Sequence, residues 1–194
     1  MTWIERIARS LSEGPGYVVL PDFMPTEDLA QDFEARRNLF HQAKVGRGDG
    51  LAQRDEIRSD RILWFEPTQL SPAQAEFWSR LEELRMGLNE KLFLGLWDLE
   101  GHFALYPSGG FYKRHVDRFA SSSARTISIV YYLNENWDQG DGGELLIYES
   151  GKVVEKIEPR AGTLVCFLSE KIEHEVLPAK IERRSFAGWF RQRT

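Results

Sequence analysis

From about residue 97 to its end, the chain alternates short apolar runs with clusters of turn-forming residues, and this rhythm limits the fold more than any other feature. The runs 102–107, 112–117, 125–133, 144–148, 152–157, 163–167, 173–177 and 185–191 read as strands rich in β-branched and aromatic residues. Between them lie Ser108-Gly109-Gly110, Asp138-Gln139-Gly140-Asp141-Gly142-Gly143, Ser150-Gly151 and Arg160-Ala161-Gly162. Such turn signals deny the segment helices of useful length, and eight short strands so divided predict a sandwich or jelly roll.

The first half has a helical period instead. Trp3, Ile4, Ile7 and Leu11 recur at helical spacing before Gly14-Pro15-Gly16, and Tyr17-Val18-Val19-Leu20 suits a strand. Thr26 is expected to cap a helix carrying Leu29, Phe33 and Phe40. Ser71-Pro72 opens a longer one with a stripe from Phe77 and Trp78 through Leu81, Leu84 and Leu88 to Leu92. These stripes are core-facing surfaces. Arg61-Ile62-Leu63-Trp64-Phe65 reads as a strand, and residues 44–60, rich in Gly and in both signs of charge, read as a loop long enough to act as a substrate lid. The expected class is therefore α+β, mainly β, in a single domain over 1–194. Helical support and the loop occupy 1–96, and the jelly-roll core occupies 97–194.

Composition narrows the function classes. With 42% hydrophobic residues the chain can bury a core, and a formal charge of −5 lacks the basic excess typical of a nucleic-acid binder. The single cysteine, Cys166, excludes an internal disulfide. No apolar run approaches the roughly 18 residues of a membrane span, and the charged first residues lack the hydrophobic region of a signal peptide. A cytoplasmic protein is expected.

His115-Val116-Asp117 is the first chemically informative feature. On a strand, residues two apart face the same side, roughly 6.5–7 Å apart, so imidazole and carboxylate can converge on one ion. His174, on another strand, is expected to supply a third ligand from across the barrel. Two histidines and a carboxylate form the facial triad of non-haem iron(II) oxygenases, while zinc hydrolases use similar sets. Arg183, nine residues after His174, separates these readings. A dication, one carboxylate and a bound 2-oxoglutarate dianion leave one net negative charge, and an unpaired buried charge is costly. One guanidinium cancels it, and its planar fork grips a carboxylate through two parallel hydrogen bonds. A zinc hydrolase has no use for that arginine. Tyr106, Tyr132 and Ser128 sit on strands expected to line the same interior, where a phenol can donate to a carboxylate. His41 and His102 are left without a role.

The stretch 106–189 resembles the catalytic domain of prolyl 4-hydroxylases, in particular the hypoxia-inducible-factor prolyl hydroxylases and their bacterial relatives. The matching segments are Tyr106-Pro107, Tyr112-Lys113-Arg114-His115-Val116-Asp117, Tyr131-Tyr132-Leu133-Asn134 with Trp137, Gly142-Gly143-Glu144-Leu145, His174-Glu175-Val176, and Arg183 with Trp189. Upstream, Arg58-Ser59-Asp60 followed by Ile62, Trp64 and Glu66 resembles the strand closing that family's loop.

The resemblance implies a double-stranded β-helix (jelly roll, cupin-like) with supporting N-terminal helices. It implies iron(II) on His115, Asp117 and His174, the distal carboxylate of 2-oxoglutarate on Arg183 and Tyr132, and Tyr106 near its chelating end. It also implies O2 as co-reactant, ascorbate as supporting reductant, and substrate contacts at Arg125, Trp189, Asp60 and the loop. The expected product is hydroxyproline in a protein substrate, with succinate and CO2; by family analogy the partner is a translation factor or ribosomal protein. The alternatives are the same chemistry on a free amino acid, small metabolite or nucleobase, and a non-catalytic metal-binding sensor or zinc hydrolase. The loop sequence departs from the family's, and Ala187 replaces a hydroxyl residue near the pocket.

Overall fold

The computed structural model describes residues 1–43, 56–117 and 124–193. Helix α1 (Trp3–Ser12) opens on a capping box in which the Thr2 hydroxyl accepts from Glu5 N and the Glu5 carboxylate accepts from Thr2 N. Helix α3 (Pro72–Leu92) starts the same way, on Ser71 and Gln74 with proline at its first position. Both satisfy N–H groups that a helix start leaves open. Helix α2 (Glu27–Ala35) departs from expectation. Thr26 makes no side-chain cap bond and the helix stops before Phe40. Glu27 and Asp28 complement the helix dipole there instead. Phe40 still enters the core after a short 3₁₀ turn, its ring 4.7 Å from that of Phe33.

The strands are β1 (Tyr17–Leu20), β2 (His41–Gln42), β3 (Arg61–Trp64), β4 (Leu96–Tyr106), β5 (Tyr112–His115), β6 (Arg125–Tyr132), β7 (Leu145–Glu149), β8 (Lys152–Ile157), β9 (Leu164–Leu168), β10 (Glu173–Val176) and β11 (Arg183–Gln192). They form two antiparallel sheets. The larger has the order β1-β9-β6-β11-β4-β3-β2 and the smaller β5-β10-β7-β8. Two strands run further than their apolar pattern suggests. β4 begins at Leu96 and β11 continues to Gln192 because Asp98 and Glu100 pair with Arg191 and Arg125, which gives charged residues a cross-strand function.

Strand parity divides the core. Along β6, Ile127, Ile129 and Tyr131 face the helices and join Phe77, Leu81 and Phe186 in the larger cluster. Tyr132 and Val130 face the smaller sheet. The large sheet is thus covered on both faces, by helices on one and by the second sheet on the other. Gly101 and Gly188 are cross-strand partners, and the Phe186 ring fills the space their missing side chains leave. The expected loop falls largely on residues 44–55, which lie outside those described; Arg58, Ser59 and Asp60 lie within them.

Candidate metal centre and its cavity

The inner faces of the two sheets part around a cavity of about 230 Å³. The metal-ligating candidates stand at one side of it. His115 is the last residue of β5, and Asp117 lies two residues beyond that strand's end rather than on it. His174 does not come from across the barrel: β10 is the immediate neighbour of β5, and His174 is the cross-strand partner of His115. Cross-strand pairing places side chains close together, and the register irregularity of this pair lies between His174 and Val176, on the side of His115 away from Asp117. Ligand atoms of the three residues lie within 4.8 Å of one another, the one such cluster among the described residues.

Each ligand is oriented by a further bond. The Nδ1 atoms of His115 and His174 lie 2.7 Å from Lys113 O and 3.1 Å from Ile172 O. A carbonyl can only accept, so each Nδ1 carries a proton, and Nε2 is the ring nitrogen turned toward the cluster. Those Nε2 atoms lie 3.5 and 3.7 Å from Asp117 Oδ1. The second oxygen, Oδ2, accepts from Ser128 Oγ at 2.7 Å and from Trp189 Nε1 at 3.0 Å. Burial alone would raise the Asp117 carboxyl. His174, His115 and the Ser128 hydroxyl outweigh it and hold the group well below the usual carboxylate range. Burial, and then His115, push His174 down to about 4. At neutral pH the set therefore presents an anionic oxygen and a neutral imidazole at His174, the forms that bind a cation.

Arg183 lies in the same cavity, 1% exposed, at the start of β11. Its Nε donates to Gly143 O at 2.9 Å and its Nη1 to Ser185 Oγ at 3.3 Å. The rings of Tyr106 and Tyr132 lie 4.9 and 5.0 Å from its Cζ. No carboxylate among the described residues pairs with this guanidinium, and the Tyr132 hydroxyl is buried without a hydrogen-bond partner. A buried cation beside an unpartnered phenol is what an incoming carboxylate would satisfy. Gly142 and Gly143, both at positive φ, aim the Gly143 carbonyl at Arg183; a Cβ on Gly143 would lie 2.8 Å from that of Ala179. Leu145, Val176, Val130 and Ala104 form apolar walls of the cavity.

The other anticipated residues divide. Tyr106, Trp189 and Arg125 line the cavity, with the Arg125 guanidinium 3.6 Å from the centre of the Trp189 ring. Ser128 does not line it; its hydroxyl is used on Asp117 and, at 2.8 Å, on Ser169. Asp60 is fully buried and holds Arg58 at 2.6 Å, so Arg58, not Asp60, faces the cavity. Arg58 lies 4.4 Å over the Tyr112 ring, which stacks on His115 at 3.7 Å.

His102, unassigned from sequence, is part of the wall, set between Trp64 and Trp189. Burial, then Arg58, push it down to about 3. Parity could have found it, because His102, Ala104 and Tyr106 share one face of β4. His41 is exposed. No helix among the described residues is long and apolar enough to cross a membrane.

Residues 101–191 match the family model of the 2OG-Fe(II) oxygenase superfamily. A Pseudomonas putida prolyl-4-hydroxylase crystal structure superposes with a TM-score of 0.88 at 39% identity, covering 98% of this chain and 100% of that one. The chain belongs to the 2OG-Fe(II) oxygenase superfamily, within its prolyl hydroxylases. A Trichoplax adhaerens prolyl hydroxylase, solved with a hypoxia inducible factor oxygen degradation domain peptide fragment, matches with a TM-score of 0.84 at 25% identity, covering 97% of this chain and 89% of that one. Human Egl nine homolog 1 is 31% identical over 188 residues, covering 90% of this chain; the chain spans 43% of that relative's length. The family uses iron(II), 2-oxoglutarate and O2.

Proposed function

We propose that this protein is an iron(II)- and 2-oxoglutarate-dependent dioxygenase that hydroxylates proline in a protein substrate, releasing succinate and CO2. The observation that carries the reading is the pairing, in one cavity, of a His-Asp-His cluster with a buried guanidinium that pairs with no carboxylate among the described residues. His115 Nε2, His174 Nε2 and Asp117 Oδ1 would hold the iron, leaving three positions of an octahedral ion open. Bound iron(II) with its cosubstrate supplies the oxidation; the side chains bind, orient and exclude water.

Arg183 and the Tyr132 hydroxyl would take the distal carboxylate of 2-oxoglutarate; Tyr106 lines the cavity beside Arg183, and Tyr132 packs against Arg183 from behind the lining. The apolar residues between keep the cluster dry, which strengthens each charged contact. Arg125 and Trp189, with Arg58 in the place expected of Asp60, would receive the substrate at the mouth. A peptide substrate is supported by the Trichoplax relative, which was solved in complex with a hypoxia inducible factor peptide fragment. Among protein substrates, a translation factor or ribosomal protein is the first to test. We further take the chain as one domain, since α1, α2, α3 and the large sheet share one apolar cluster. We place it in the cytoplasm, in keeping with its one cysteine, buried and unpaired.

The test supplies the recombinant protein with iron(II), 2-oxoglutarate and ascorbate, follows succinate, and maps added oxygen on proline in proteins captured by an inactive variant. Asp117→Ala should abolish succinate formation; unchanged turnover would remove the metal assignment. Oxygen added only to free amino acids or nucleobases would replace the protein substrate.

A further inference from the structure

Asp117 lies outside the strand ladder, so backbone pairing does not fix its side chain. A carboxylate held only by its backbone can rotate to chelate a metal through both oxygens. That would leave two open positions on a six-coordinate ion instead of three, too few for a chelating 2-oxo acid and O2 together. In this structure the rotation is opposed by two donors on Oδ2, from Ser128 and Trp189. They reach one atom because they are direct cross-strand partners, Ser128 on β6 and Trp189 on β11.

The two donors differ in stiffness. A hydroxyl turns freely about its C–O bond, whereas an indole N–H points only where its ring points. The Trp189 ring is well fixed. Arg125 lies over it at 3.6 Å, and Trp64 and His102 stand at 6.3 and 5.6 Å. Arg125 is itself held by Glu100 at 2.8 Å, and Glu100, the cross-strand partner of Trp189 on β4, also accepts from Arg191 at 2.8 Å. The ion-pair ladder across β4, β6 and β11 thus ends on the ring that holds Asp117.

We infer that Trp189 is a positioning residue for the metal centre: its indole N–H holds Asp117 Oδ2 away from the ion, so that the carboxylate binds through Oδ1 alone and three positions remain open. This rests on the iron reading above and goes beyond a substrate contact for Trp189. It predicts that the N–H, apart from the bulk of the ring, sets metal affinity and the geometry of the cosubstrate complex.

The experiment uses metal-stripped full-length protein as wild type, Trp189→Phe and Asp117→Ala. Mn(II) is titrated by the resonance of the free ion, so no oxygen chemistry intervenes. A second sample replaces Trp189 by its benzothienyl analogue, which keeps the shape and stacking of the indole and removes only the N–H, in case phenylalanine leaves the ring site loose. Loss of a residue that orients a ligand typically weakens metal binding about 10–100-fold. Both replacements should weaken Mn(II) by at least about tenfold, and Asp117→Ala should abolish binding. Both should also move the charge-transfer absorption that 2-oxoglutarate produces on adding it to the Fe(II) protein without oxygen, a signature that mere loss of packing would leave in place.

Affinity within twofold of wild type and an unmoved band in the analogue, with binding still lost in Asp117→Ala, would overturn the inference and leave the metal site standing. Equal Mn(II) binding by Asp117→Ala and wild type would remove the metal site, and the inference with it.

Discussion

Arg183→Met separates affinity from stability. Arg183 is 1% exposed and makes two hydrogen bonds, to Gly143 O and Ser185 Oγ. A guanidinium has five N–H donors, so enough remain for a carboxylate to take two in parallel. Removing one partner of a buried charge pair costs about 3–5 kcal/mol. At about 1.4 kcal/mol per decade, the Kd for 2-oxoglutarate should rise by roughly 150-fold to several thousandfold. Stability without cosubstrate should move far less. The lost bonds cost about 1 kcal/mol each, and removing a buried cation that has no anion among the described residues offsets them. A net change under about 2 kcal/mol follows from that offset.

The assay is calorimetric titration of 2-oxoglutarate into the Mn(II) protein, with urea unfolding of both proteins alongside. Arg183→Lys keeps the charge, loses the fork, and should fall between the two. A Kd within tenfold of wild type in a folded Arg183→Met protein would refute the carboxylate assignment.

Other outcomes follow from the same structure. Burial holds His102 at about 3. Below about pH 6.5 the unfolded chain takes up a proton that the folded one refuses, so stability falls as pH falls. Between pH 7 and pH 5 wild type should lose about 2 kcal/mol more than His102→Met, read by urea unfolding in EDTA; parallel curves would show that His102 is protonated in the fold. Adding Mn(II) and 2-oxoglutarate at 100 times their Kd should each raise stability by about 2.7 kcal/mol, and EDTA should reverse the metal's share; a Tm indifferent to both would deny a preformed site. In Gly188→Ala the new Cβ would lie 2.6 Å from the buried Phe186 ring. Unfolding should show a loss of about 1–3 kcal/mol, and wild-type stability would mean that the ring can shift.

The sequence alone determined the elements and the list of chemical groups. Turn clusters marked where strands end, and the capping residue Ser71 marked one helix start, because both act through neighbours along the chain. The spacing of His115 and Asp117 and the charge argument for Arg183 named the residues that the fold gathers into one cavity. Tertiary structure decided which neighbour each group has. Strand order made His174 the partner of His115 and not a residue across the barrel, since pairing depends on which edges meet rather than on local pattern. The cross-strand partnership of Ser128 and Trp189 brought two donors onto one oxygen of Asp117. Burial turned Asp60 toward Arg58, because a carboxylate with no access to water must pair within the protein. Local signals travel along the chain, whereas pairing and burial exist only once distant segments have met.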